Sequence, residues 1–456
     1  MTARVVIAGT SSGVGRTTVA CGLIGALGAR GLRVQGFKVG PDFIDPSYHA
    51  LASGRPGRNL DAFLSGPELI GPLFRHGARD ADIAVIEGVM GLFDGASGND
   101  EPASTAHIAK LLHAPVLLVV DASAMARSVA ASVHGYSSFD PKLSIAGVVL
   151  NQVGSDGHER LLREALAPLG IPVLGTLHRD AGMAAPERHL GLVPAGEGVT
   201  EALHVLERLA SVVAERADLA AMLDQARAVP PVPGSGEWSP DPAGDPAVGA
   251  RVAVARGPAF SFHYQENLEL LGAAGAELCE FDPVRERNLP DDAGALMLAG
   301  GFPEVYVEDL ATNEPLRRAI ATFAYSGRPV LAECGGLLYL CEELGGHEMC
   351  GVVHARSQMM SGLTLGYRAA TAATEGLYGA KGKRARGHEF HYSTVRPRHG
   401  EKAAWTFHGR DNERTEGFAT PSIHASYLHV HWAAFPDVAL RFAHAASPGR
   451  LSEVSL

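Results

Sequence analysis

Short apolar runs recur through the first half of the chain, at residues 4–9, 33–39, 82–88, 115–121, 143–152 and 172–178, with helical patterns between them. A parallel strand is buried on both faces and needs a crossover to reach its neighbour, so continuous apolar runs separated by helix-length segments indicate βαβ units. The pattern predicts an α/β fold, a mostly parallel sheet with helices on both faces, whose ligands bind at the carboxyl ends of the strands. A long helix is predicted from about Thr200 to Ala228. After it come Pro230, Pro231, Pro233, Gly234, Gly236, Pro240, Pro242, Gly244 and Pro246, a density that neither a helix nor a central strand tolerates and that predicts an interdomain linker. A second α/β series opens at residues 251–256 and continues through 293–299 and 329–332. The expected organisation is a first domain over residues 1–228, a linker over 229–249 and a second domain over 250–456, without internal repeats.

Composition narrows the classes. A length of 456 residues suits two domains better than one, and 46% hydrophobic with 6% aromatic residues fits a compact α/β protein. No stretch approaches the roughly 20 apolar residues of a membrane span, and the first apolar run, Val5 to Ala8, is too short for a signal peptide, so no membrane association and a cytoplasmic location are expected. The 5 cysteines (Cys21, Cys279, Cys334, Cys341, Cys350) are odd in number and lack CxxC spacing, which argues against a disulfide framework or a zinc site. A formal net charge of −11 argues against nucleic acid as a partner.

The turn after the first strand reads Gly9-Thr10-Ser11-Ser12-Gly13-Val14-Gly15-Arg16-Thr17-Thr18. Glycines between a strand and a helix let backbone N–H groups converge on an anion, and the helix N-terminus adds its dipole. Gly13, Gly15, Arg16, Thr17 and Thr18 are therefore candidate nucleotide-binding residues, with Thr17 placed to ligate Mg²⁺. Arg16 stands where the usual motif has Lys, and Thr10 where it has its first Gly. Lys38, at the end of the second run, offers another cation and is expected to share the phosphate-binding role with Arg16. Asp42, Asp45, Glu87 and Asp94 lie on loops along the same rim, where hard oxygen ligands suit Mg²⁺.

In the second half, residues 329–332 run into Glu333-Cys334-Gly335-Gly336, a strand entering a Gly-rich turn and helix. A cysteine at such an elbow is a candidate nucleophile, and N–H groups near Gly301 and Gly335 are candidates for an oxyanion hole. His429 and His431 are two apart on a predicted strand, so both can face that cysteine.

The strings Phe37-Lys38-Val39-Gly40-Pro41-Asp42-Phe43-Ile44-Asp45-Pro46 and Glu87-Gly88-Val89-Met90-Gly91-Leu92-Phe93-Asp94-Gly95, with the Cys334 and His429 segments, resemble the cobyrinic or hydrogenobyrinic acid a,c-diamide synthase family of cobalamin biosynthesis, over essentially the whole chain. The resemblance implies a P-loop-type synthetase domain followed by a class I-like glutaminase domain. It also implies a glutamine-hydrolysing carbon–nitrogen ligase using ATP, Mg²⁺, L-glutamine and a polycarboxylate tetrapyrrole. Cys334 would release ammonia from glutamine, and ATP would activate a substrate carboxylate as an acyl phosphate. His429 is favoured as the base with His431 in support, the reverse order staying open. Arg55, Arg58 and Asp94 are candidates for substrate binding. The segment Gly387-His388-Glu389-Phe390-His391-Tyr392-Ser393 also matches the family and is assigned no catalytic role. Alternatives are the Ni-sirohydrochlorin a,c-diamide or cobyric acid synthase and, from another class, a nucleotide-binding regulatory protein whose turnover Arg16 impairs. Monomer and homodimer are both compatible with the chain.

Overall fold

The computed structural model describes residues 2–96, 101–180, 187–188, 191–192, 198–242, 244–409 and 413–448. The chain forms two compact units, Met1–Ser239 and Pro240–Leu456.

Among the described residues, the main sheet of the first unit has seven strands, β1 Ala3–Gly9, β2 Val34–Val39, β3 Arg58–Leu60, β4 Ile83–Glu87, β5 Val116–Asp121, β6 Ile145–Val153 and β7 Val173–His178. They form one sheet in the order β3-β2-β4-β1-β5-β6-β7, parallel throughout. Its helices are α1 Arg16–Ala29, α2 Asp45–Ser53, α3 Pro67–Gly77, α4 Thr105–Leu111, α5 Ser128–Ser138, α6 Asp156–Leu166, α7 Val199–Arg216 and α8 Leu219–Arg227. Every residue of β1, β2 and β4 is buried, as strands covered on both faces require. The strand order turns back at β1, and the loop leaving it opens at that switch point.

Three sequence expectations change. β3 was not foreseen, because three residues containing Arg58 and Asn59 carry no apolar signature. The helix predicted over 200–228 is two. Ala217 leaves the helical path to pair with Gly175 beside β7, Asp218 donates its N–H to Leu174 O at 2.7 Å, and the Asp218 side chain then caps α8 by accepting from Ala221 N. The Pro/Gly segment is docked rather than free. Prolines lack N–H donors but keep their carbonyls; Arg4 donates to Pro230 O at 2.6 Å, Arg75 donates to Pro233 O and Gly236 O, and Trp238 is buried edge-on against His76. On the other side of the boundary, Ala247 donates to Ala274 O at 2.8 Å within the second unit.

Among its described residues, the second unit holds two sheets. The first runs Ala276–Phe281, Ala250–Ala255, Ala295–Leu298, Val330–Glu333, Ile423–Ser426, Phe418–Ala419 in spatial order, parallel except for the last pair. The second is dominated by the antiparallel pair Val353–Ala372 and Arg384–Arg396, against which the two-residue strand His429–Val430 adds. A core that includes Leu296, Leu298, Val330, Leu337, Tyr339 and Phe260 packs under the turn that carries Cys334.

Candidate active sites

In the first unit, α1 starts without a side-chain cap, on Gly15 in the left-handed conformation (φ 92°). A side chain there would also collide with Asn151, whose Nδ2 donates to Val14 O at 2.9 Å and braces the turn from the end of β6. Ser11, Ser12 and Gly13 are exposed on the crest, and Thr17 and Thr18 lie in the first turn of α1. Arg16 folds back, donating to Ser11 O at 2.8 Å and to Met90 O. Burial pulls its guanidinium below the ordinary value against the opposing field of Glu87, Asp45, Asp94 and Asp42.

Beneath this turn lies a closed ionic network. Lys38 and Glu87 are in register across β2 and β4, and Lys38 Nζ lies 2.8 Å from Glu87 Oε1 and 2.5 Å from Asp45 Oδ2. Glu87 Oε1 also accepts from Thr17 Oγ1 at 2.6 Å, while His49 Nε2 lies 2.7 Å from Oε2. Burial would raise the Glu87 carboxyl, but Lys38 and His49 hold it well below the usual carboxylate range. Burial likewise opposes the Lys38 ammonium, yet Asp45, Glu87 and Asp42 keep it protonated above its ordinary value. Burial, Asp42 and Glu87 push the Asp45 carboxyl up.

The expected cation Lys38 is thus spent on carboxylates at 2% exposure, because parallel pairing sets it beside Glu87. Asp42 Oδ1 accepts from Ile44 N and Asp45 N at the start of α2, and Asp94 Oδ2 accepts from Gly91 N at 2.8 Å. The donor set at this edge, Thr17 with Asp42, Asp45 and Glu87, is all hard oxygen and fits Mg²⁺ by its chemistry. Arg55 does not join it. Its guanidinium donates to Gln35 Oε1 and to Gly77 O and Arg79 O, and Gln35 sits near the amino end of β2, the opposite edge of the sheet. Arg58 is buried in β3 with its stem against Gly77 of α3, not on the open rim.

In the second unit, Cys334 occupies φ 49°, ψ −102° between the strand Val330–Glu333 and the helix Gly335–Leu340. A β-carbon normally disfavours that conformation, and its strain is retained where a sharp turn must aim a side chain. Cys334 N donates to Ser426 O at 2.7 Å, which fixes the turn to the neighbouring strand. A β-carbon on Gly336 would collide with Leu298 O, and one on Gly335 would lie 3.0 Å from Gly301 N. The backbones of the two oxyanion candidates, Gly301 and Gly335, are therefore adjacent.

His429 lies in polar contact with Cys334, and its Nδ1 is 3.6 Å from Glu333 Oε2. Burial would lower the imidazole, but Cys334 and Glu333 more than offset it and push it up to about 10, so it persists as imidazolium beside the sulfur. Gly300 permits this approach, since any side chain there would strike the His429 ring. His431 does not share that environment. The strand ends at Val430, His431 caps the 3₁₀ turn Trp432–Ala434, its Nδ1 accepts from Ala433 N, and its Nε2 lies 3.4 Å from Glu266. Alternation along a strand does not extend to a residue where the strand has stopped.

Sequence reasoning missed several neighbours. Glu333 immediately precedes the cysteine, a signal that was available; Tyr378, which donates to Glu333 Oε1 at 2.7 Å, comes from 45 positions away with no local mark. The segment 387–393, assigned no role, runs beside the elbow: Phe390 O faces Cys334 Sγ at 3.9 Å, and His388 pairs with His429 across the strands.

A nucleotide-type turn and a glutaminase-type cysteine elbow in one chain define a two-part glutamine amidotransferase. Residues 5–193 match the CobQ/CobB/MinD/ParA nucleotide binding domain, and residues 251–436 match the CobB/CobQ-like glutamine amidotransferase domain. The chain is 53% identical, over 96% of each chain, to the hydrogenobyrinate a,c-diamide synthase of Streptomyces coelicolor. It is 49% identical to the enzyme of the same name from Thermobifida fusca, over 98% of this chain and 97% of that one. To the cobyrinate a,c-diamide synthase of Syntrophotalea carbinolica it is 44% identical, over 96% and 97%. The chain belongs to the a,c-diamide synthase family and is a glutamine-hydrolysing ligase of cobalamin biosynthesis. Among the described residues, no helix is long and apolar enough to cross a membrane.

Proposed function

We propose that this protein converts the a and c carboxylates of hydrogenobyrinic acid to carboxamides, using glutamine as nitrogen donor and ATP to activate each carboxylate. The observation that carries the reading is the placement of buried His429 in polar contact with Cys334 at a strained elbow, in a chain that also holds a phosphate-type turn. The metal-free substrate is favoured over cobyrinic acid by the relatives, those at 53% and 49% identity being hydrogenobyrinate synthases and that at 44% a cobyrinate synthase.

The Cys334 sulfur adds to the side-chain amide carbon of glutamine, and the resulting oxyanion is held by N–H groups at Gly301 and Gly335. His429 gives its proton to the departing ammonia, and water then cleaves the thioester to glutamate. In the first unit the γ-phosphoryl group passes to a substrate carboxylate, and ammonia displaces phosphate from the acyl phosphate. Thr17, Asp42, Asp45 and Glu87 would hold Mg²⁺, which neutralises charge on the transferring phosphoryl group. The crest 11–15 and the start of α1 cradle the phosphates, and Arg16 supplies positive charge at that edge.

The test is one assay series. ADP and glutamate formation are followed with hydrogenobyrinic acid, cobyrinic acid and nickel sirohydrochlorin, with mass analysis of the product amides. A diamide formed fastest from hydrogenobyrinic acid, with two ADP per product, is expected. Preference for either metal-bearing substrate overturns the substrate assignment, and ADP formation without amide overturns the activity.

A further inference from the structure

Glu333 closes its strand and stands directly before Cys334, with its carboxylate almost wholly buried. Its two oxygens are engaged differently. Oε1 accepts from Tyr378 OH at 2.7 Å, and that phenol oxygen in turn accepts from Trp432 Nε1 at 3.2 Å. Oε2 faces His429 Nδ1 at 3.6 Å, within ion-pair reach and longer than a hydrogen bond. Trp432 is fully buried and its backbone N–H donates to Asn267 Oδ1 at 2.8 Å, so the arm that steadies Glu333 is itself anchored. The residue two beyond the histidine is His431, whose polar contacts among the described residues are with Ala433 and Glu266.

We infer that Glu333, rather than His431, is the positioning residue that orients His429: its carboxylate takes the Nδ1 side of the ring and leaves Nε2 to serve the Cys334 sulfur. The inference rests on Cys334 being the glutaminase nucleophile. The nucleophile and the group that orients its base then sit on adjacent residues, the last of the strand and the turn residue that follows it. Successive side chains on a strand point to opposite faces, and here the break to φ 49° at Cys334 removes that constraint, so both can reach one imidazole.

The proton accounting is simple. The thiol proton resides on His429 Nε2 when the sulfur is anionic and is later delivered to the departing ammonia, while the Nδ1 proton stays directed at Glu333. The charged or titratable groups facing His429 are Cys334, Glu333 and, across the strand pair, His388. Burial, His429 and Arg368 push His388 down to about 3, so it stays neutral and does not compete as a cation. Removing the Glu333 charge while keeping its shape should therefore make His429 lose its proton at lower pH.

The experiment measures the pH dependence of glutaminase kcat/KM for Glu333→Gln, Glu333→Asp, Tyr378→Phe, His431→Gln and Glu266→Gln, with turnover on added ammonia reporting that each chain has folded. In Glu333→Gln the alkaline limb should move toward neutrality by about one unit or more. Its kcat at neutral pH should fall at least about 10-fold, with a smaller change in KM for glutamine. Glu333→Asp should recover part of the shift, and Tyr378→Phe should show a smaller one in the same direction. An alkaline limb in Glu333→Gln that coincides with the unaltered enzyme overturns the inference. So does an equal displacement in His431→Gln or Glu266→Gln. Glutaminase activity surviving in Cys334→Ser overturns the nucleophile assignment beneath it, an outcome that the Glu333 variants do not mimic.

Discussion

The two units solve the same geometrical problem with different residues. Each places a sharp turn between a parallel strand and a helix at the carboxyl edge of its sheet. In the first unit the left-handed position is Gly15; in the second it is Cys334. Phosphate is bound by backbone N–H groups, so glycine serves and no strain is needed. Attack on an amide carbon needs a side chain at the apex, and the second turn retains a strain of about 1–3 kcal/mol to present one. The buried carboxylates differ as well. Glu87 is compensated by Lys38, His49 and Thr17, whereas Glu333 has the Tyr378 hydroxyl on one oxygen and, on the other, the His429 imidazole that Cys334 also contacts. The first carboxylate shares the Lys38 ammonium with Asp45, and the second stands next to the proposed nucleophile.

The contrast can be broken most sharply at Cys334. Cys334→Ser should lower glutamine-supported turnover by at least about 10³-fold while turnover on added ammonia continues, as read by paired assays with the two nitrogen sources. Next in size is Lys38→Met. It leaves Glu87 and Asp45 without their cation in a dry site, and destabilisation of about 3–5 kcal/mol is expected in the denaturant midpoint.

The units should also answer pH in opposite directions. Glu87, held low, stabilises the fold above the carboxylate range, and this contribution is lost as pH falls through its folded value. Glu416, buried and accepting from the Ser426 hydroxyl and Tyr427 N–H, is pushed up to about 8, chiefly by burial. Its folded form binds a proton more tightly than its unfolded form. Its contribution is therefore complete below the unfolded value and is lost as pH rises through 8. Glu416→Gln should remove a stability loss on the order of 2–4 kcal/mol between acidic and alkaline buffers, seen in denaturation curves across that range.

A smaller effect sharpens the steric half of the comparison. Gly336 has an ordinary helical conformation, so Gly336→Ala tests only the approach of the elbow to Leu298 O. A cost of about 1–3 kcal/mol is expected, with lower glutaminase kcat. Smallest should be Arg55→Ala. Because Arg55 binds carbonyls at the amino edge of the sheet, the KM for the tetrapyrrole should stay within about 2-fold and stability should fall by about 1 kcal/mol.

Both turns were legible because each is a local signal: a strand, glycines, a helix and one reactive or cationic side chain within ten residues. The strands around them were legible from buried apolar runs. What local signals did not show lay in pairings between distant residues. Lys38 reads as a phosphate ligand until the β2–β4 register sets Glu87 beside it. His431 reads as a partner of His429 until the strand is seen to stop at Val430. Arg55 reads as a rim residue until its contacts place it near the start of β2. Tyr378 carries no mark at all.

By itself the amino-acid order determined the two α/β units, the two strand-to-helix turns and the cysteine at the second of them, since all of these follow from burial periodicity and from backbone freedom over a few residues. Tertiary structure alone decided which charges neutralise one another and which remain available for chemistry. The physical reason is that ionic interactions depend on separations of a few ångströms across a dry interior, and those separations are set by strand register and helix docking between residues far apart in the chain.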